Sequence, residues 1–135
     1  MSHISKVALE IKNLPAFIRA AERAGMEFLR DVKTFRYYHT RSGKCDHALR
    51  VKGNAQAWEM GVRQDDKGNW TLVGDFFLGG EGLCKVVGDR GEVLKKLYAA
   101  EVAKMVAKRK GYTVQERWSS GRPGFGTCEL VATKR

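Results

Sequence analysis

Polar and apolar residues alternate from Lys6 through Val7, Ala8, Leu9, Glu10 and Ile11 to Lys12, the period of a strand with one buried face. Asn13, Leu14 and Pro15 follow: a helix-capping residue type and a proline in the first helical turn. Leu14, Phe17, Ile18, Ala21 and Ala24 then keep helical spacing up to Gly25, a residue free to adopt the left-handed conformation that closes helices. Residues 26–30 extend the chain again, and residues 35–39 and 48–52 predict strands on either side of a polar turn over 40–46. Trp58, Met60 and Val62 alternate with Glu59, Gly61 and Arg63; after the turn Asp65-Asp66-Lys67-Gly68-Asn69, Trp70, Leu72, Gly74 and Phe76 return as a hairpin. A glycine-rich connector over 79–82 leads to a long helix over 91–110 with the stripe Leu94, Leu97, Tyr98, Val102 and Met105. Lys104, Lys108, Arg109 and Lys110 suit the negative end of its dipole. Gly111 stops it, and residues 112–118 and 127–133 predict a closing hairpin around the loop 119–126.

Residues 21–28 and 107–114 share one layout: a helix end, an arginine, a glycine stop and an immediate strand. Two strand–helix–strand units on one antiparallel sheet are the plan of a ferredoxin-like α+β sandwich. The expectation is a single α+β domain over residues 1–135, with an antiparallel sheet of about six to eight strands and two main helices packed on one face. Helices covering Val7, Leu9, Leu49, Val51, Met60 and Val62 would leave Lys6, Lys12, Arg50, Lys52 and Arg63 on the other face.

Several of these segments resemble a known family. The opening Met1-Ser2-His3-Ile4, the first strand and helix ending at Gly25, Trp58-Glu59-Met60-Gly61, Asp75-Phe76-Phe77 and Lys110-Gly111-Tyr112-Thr113-Val114 are similar to the hypothetical chloroplast reading frame family of cyanobacteria, plastids and some other bacteria and phages, catalogued as domain of unknown function twelve fifty-seven. The resemblance spans most of the chain in order, and it implies a fold without supplying catalytic residues or a ligand. The chain departs from the family in its basic balance and in the insert-like loops 41–46 and 121–126.

Charge changes the picture most. The 135 residues carry 25 Lys and Arg against 15 Asp and Glu, a net charge of +10. Such an excess favours polyanionic partners, either nucleic acid or an acidic protein face. A membrane surface fits least, because neither helix sets a pure Lys/Arg face against a bulky apolar one. No apolar run reaches the roughly 18 residues of a membrane span, and the N-terminus lacks the pattern of a secretory signal.

Cys45, Cys84 and Cys128 are odd in number and lack CxxC spacing, which predicts reduced thiols in a cytoplasmic setting. Cys128 runs in phase with Leu130 and Ala132 and is expected in the core, whereas Cys45 is expected in an accessible turn. Cys45 and His47, with His39 upstream, fall short of a four-ligand zinc set, so neither metal nor cofactor is expected. Glu101 falls inside the apolar arc of the long helix; the rim, paired with Lys104 or Lys108, is its expected place. Burial would instead raise its pKa and make it a general-acid candidate. No nucleophile elbow or phosphate-binding glycine pattern is present, which points away from an enzyme.

One segment, Phe35-Arg36-Tyr37-Tyr38-His39-Thr40-Arg41-Ser42-Gly43-Lys44, interleaves aromatics with cations. Single-stranded nucleic acid is held by such mixtures, cations following phosphates and rings stacking on bases. The candidate site is therefore Arg36, Arg41, Lys44, Arg50, Lys52 and Arg63 for phosphates, with Tyr37 or Tyr38 for stacking. The expected function is a small, basic, non-enzymatic module binding single strands with weak sequence preference. The alternative is an accessory subunit that docks an acidic protein partner.

Overall fold

The computed structural model describes residues 4–38 and 41–134. In chain order the elements are β1 (Ser5–Ile11), α1 (Leu14–Ala24), β2 (Met26–Leu29), β3 (Thr34–Tyr37), β4 (Arg41–Lys44), β5 (His47–Val51), β6 (Met60–Gln64), β7 (Trp70–Gly74), α2 (Leu83–Val87), α3 (Glu92–Arg109), β8 (Tyr112–Trp118) and β9 (Cys128–Lys134). The fold is α+β, built on a five-stranded antiparallel sheet ordered β1-β7-β6-β5-β2.

Helix α1 starts and stops where its sequence dictates. Asn13 Oδ1 accepts a hydrogen bond from the Ala16 N–H at 3.0 Å, Pro15 sits in the first turn, and Gly25 closes the helix at φ 95°. The Tyr98 hydroxyl of α3 accepts from the Lys12 and Asn13 N–H groups, both at 3.1 Å, and so pins the β1–α1 junction to α3. Helices α1 and α3 share one face of the sheet: Phe17, Ala20, Leu94, Leu97 and Tyr98 close a core with Val7, Ile11, Leu49, Met60, Val62 and Leu72. Burying each of the larger apolar side chains contributes about 1.5–3 kcal/mol.

The opposite face is not the open basic surface that the alternation predicts. Strands β3 and β4 form a ribbon over it, and Phe35 of β3 makes a second core with Cys45, Ala48 and Val73. Residues 41–44, expected in a turn, are β4, because Gly43 lets the Phe35 ring lie against the ribbon's own backbone. The strand–helix–strand plan is realised once on the sheet, by β1, α1 and β2. Strand β8 pairs with β9 as a separate two-stranded ribbon packed on α3, so the second unit does not return to the five-stranded sheet. Loop 119–126 packs as well: Gly124 is buried against Val93, and Lys96 Nζ donates to the Gly126 carbonyl at 2.9 Å. Among the described residues, no helix is long and apolar enough to cross a membrane.

Candidate functional site

The eight candidate residues separate into three environments. Arg50 on β5 donates from Nε to Glu27 on the edge strand β2 at 2.7 Å, and Lys52 is exposed just beyond β5. Arg63 reaches across the covered face: its Nε donates to the Lys44 carbonyl at 2.7 Å, and its guanidinium lies 6.0 Å from the Phe35 ring. Tyr37 packs beside Phe35 with ring centroids 5.8 Å apart, so it belongs to the second core. The Lys44 side chain is exposed at the far end of the ribbon. The third group is Arg36, Tyr38 and Arg41, which the structure brings to one place; His39 lies outside the described residues.

That place is a cavity of about 390 Å³ lined by Arg36, Tyr38, Gln56, Trp58, Phe77, Leu78 and Glu81. Its walls are aromatic: Tyr38 meets Trp58 edge-on at 5.6 Å and Phe77 at 6.4 Å, within the spacing of favourable ring pairs. Arg36 is held in position by backbone, since its Nη2 donates to the carbonyls of Ala55 and Ala57, each at 2.8 Å. The Arg36 N–H donates to Glu59 at 2.8 Å, and the Glu59 N–H returns to the Arg36 carbonyl at 2.7 Å, fastening the end of β3 beside β6. Arg41 adds a second guanidinium 6.0 Å from the Tyr38 ring centroid.

The remaining wall is a left-handed turn. Leu78, Gly79, Gly80 and Glu81 have φ of 51°, 78°, 60° and 56°. A non-glycine residue held left-handed costs about 1–2 kcal/mol, and strain of this kind clusters where a fold positions groups for function. Four described non-glycine residues have positive φ, and three of them, Tyr38, Leu78 and Glu81, border this cavity. The Trp58 N–H donates to the Gly80 carbonyl at 2.9 Å, tying the turn to the aromatic floor. Leu78 is 85% exposed at the rim, a position in which burial supplies no reason for a leucine. In the sequence this turn reads as a connector and Trp58 as a strand residue, and Phe77 enters only among the segments that carry the family resemblance. The available signal was Leu78, a large apolar side chain in a run otherwise made of Gly79, Gly80, Glu81 and Gly82.

Other candidate chemistry resolves into structure. Glu101 is buried rather than at the rim, and Lys104 is indeed its partner at 2.7 Å, with Arg23 at 2.8 Å and Arg19 at 3.2 Å. Burial pushes its carboxyl up, but hydrogen bonds and charge from Lys104, with hydrogen bonds from Arg19 and Arg23, outweigh that and hold it below the usual range. It stays ionised and is no general acid. Glu116 of β8 joins the cluster through Arg23, through Lys104 at 3.1 Å and through the Trp118 indole at 2.7 Å. Burial again pushes up, yet hydrogen bonds from Arg23, Trp118 and Lys104 hold the Glu116 carboxyl down to about 2.

The thiols reverse their expected places. Cys45 is buried and donates to the Val32 carbonyl at 3.2 Å, whereas Cys128 is exposed because β9 lies outside both cores. His47 is buried beneath Phe28 and Trp70, and its Nδ1 accepts from the Asp31 N–H at 2.8 Å. Both members of the Cys-x-His pair are thus engaged by the fold. Among the described residues no cluster of three or more His, Cys, Asp and Glu has metal-binding geometry. Set against known proteins, the chain matches no family model, no curated protein and no solved structure.

Proposed function

We propose that the protein is a small non-enzymatic module that binds single-stranded nucleic acid, with the aromatic cavity as its point of grip. The observation that carries this reading is the convergence of the half-buried rings of Tyr38 and Phe77, backed by the buried Trp58, with Arg36 and Arg41 at one site. Rings that accept a base and guanidiniums that meet phosphate are the two requirements of sequence-tolerant strand binding. The net charge of +10 supplies the long-range attraction that brings a polyanion to that site. Lys44 and Lys52, both exposed, extend the positive surface, while Arg50 and Arg63 are engaged with Glu27 and with the β3–β4 ribbon. The test is fluorescence anisotropy of a labelled oligothymidylate across a salt series. Binding at low salt should weaken linearly on a log–log plot, and Arg41→Ala should lower that slope by about 0.7. Absence of binding at low salt overturns the reading.

One observation favours docking of an acidic protein partner instead. Helix α3 presents Ala99, Val102, Ala103 and Val106 along a groove whose charged lining is Lys12, Lys95 and Arg109 with a single carboxylate, Glu10. An amphipathic acidic segment fits such a groove, and the two readings use different faces. Alanine substitution at Arg109 should weaken capture of an acidic amphipathic peptide while leaving oligonucleotide binding unchanged, and so discriminates them.

A further inference from the structure

We infer that the cavity between the β3 end and the left-handed turn receives one unstacked base and that its edge chemistry selects guanine; the inference rests on the strand-binding reading above. Arg36 and Glu81 line the same cavity yet form no ion pair with each other, so neither charge is neutralised by the other. Arg36 is anchored through Nη2 alone; its Nε and Nη1 make no hydrogen bond to the described residues. Glu81, exposed on the turn, has neither a hydrogen bond nor an ion pair among the described residues. A ligand that satisfies both groups must be flat enough to lie against Tyr38 and Phe77. It must also offer two donors to a carboxylate and an acceptor to the guanidinium, whose Nη2 is already taken by the Ala55 and Ala57 carbonyls.

Guanine meets this description. Its N1–H and N2–H₂ are paired donors for the two oxygens of Glu81, and its O6 is an acceptor for one open N–H of Arg36. Adenine and cytosine each offer a carboxylate one amino group, and thymine offers one ring N–H. The cavity volume of about 390 Å³ falls in the range of small-ligand sites, about 300–1,000 Å³, with room for one base and its sugar. Gln56 at the same wall adds an amide that can both donate and accept. The turn that carries Glu81 is left-handed and tied to Trp58, so the backbone from which the carboxylate extends is held at the cavity. One selective position within an otherwise tolerant strand agrees with weak sequence preference overall.

The experiment uses the full chain and a fluorescent ten-nucleotide oligothymidylate carrying one central guanine, adenine, cytosine or abasic site, at low salt. The guanine strand should bind about tenfold more tightly than the abasic strand, and more tightly than the adenine or cytosine strand. Glu81→Gln, a substitution on an exposed turn, should erase that preference while leaving affinity for the abasic strand unchanged. Equal binding of all strands overturns the guanine inference and leaves the strand-binding reading standing. A guanine preference that survives Glu81→Gln overturns the assignment of the edge. Absence of binding by every strand overturns both.

Discussion

The ring of Phe35 lies directly on Gly61: a β-carbon placed on that glycine would stand 2.6 Å from the ring. This contact seats the β3–β4 ribbon on the sheet and places Tyr38, at the end of β3, beside Trp58. Gly61 lacks a positive φ, so close packing rather than backbone freedom accounts for the glycine. Gly61→Ala should destabilise the fold by about 1–3 kcal/mol through overpacking. Combining it with Phe35→Leu should cost less than the sum of the two single changes. Urea denaturation of the three variants checks both expectations.

The cluster of the buried Glu101 with the half-buried Glu116, Arg23 and Lys104 ties α1, α3 and β8 together. Glu101→Ala removes an acceptor from three cations at once and should cost about 3 kcal/mol. The change in unfolding free energy measured by urea titration, with Glu129→Ala on the exposed face of β9 as a control, reads this directly.

Acid should unfold the protein in two stages. Burial holds the His47 pKa below its usual value, so folding favours the neutral ring, and stability falls once the pH drops below about 6.5, where the unfolded chain takes up the proton. Glu116 titrates near 2 in the fold and near 4.3 unfolded. Its contribution is complete above about 4.3, disappears as the pH falls toward 2, and amounts to about 2–3 kcal/mol. Urea midpoints measured from pH 8 to pH 3 should therefore decline in both windows. A flat profile between pH 7 and pH 4 contradicts the His47 assignment, and one between pH 4 and pH 3 contradicts that of Glu116.

Much of this architecture was legible in the chain. Asn13, Pro15 and Gly25 delimit α1 through local chemistry, and the alternation of β6 and β7 identifies a hairpin without tertiary information. What escaped was tertiary. Residues 41–44 carry no strand signal of their own and extend because Phe35 needs a cover strand with a glycine in it. Glu101 looked out of place on an apolar arc because two of its partners, Arg19 and Arg23, come from α1, some 80 residues away in the chain (separations of 82 and 78). Of the strand-binding candidates, Arg36, Tyr38 and Arg41 converge, whereas Tyr37 and Arg63 turn inward, a distinction set by how the ribbon docks.

Thiol reactivity offers an independent check on how the two ribbons are placed. Cys128 is exposed on β9 and should react first with a maleimide under native conditions, while Cys45, buried beneath β3, should react only on unfolding. Burial also pushes the Cys45 thiol up, which lowers its thiolate fraction. Mass spectrometry of peptides from timed labelling gives the order.

The measurement closest to the central claim compares Tyr38→Ala with Arg50→Ala by anisotropy on a single-stranded oligonucleotide, with thermal melts confirming that both variants are folded. Tyr38 forms a wall of the cavity, so its loss should weaken binding by about 1–3 kcal/mol at every salt concentration. Arg50 is engaged with Glu27 on the edge strand β2, and its loss should change affinity little. If folded Tyr38→Ala binds as the parent chain does, or if Arg50→Ala is the variant that loses the strand, the aromatic cavity is not where nucleic acid is held.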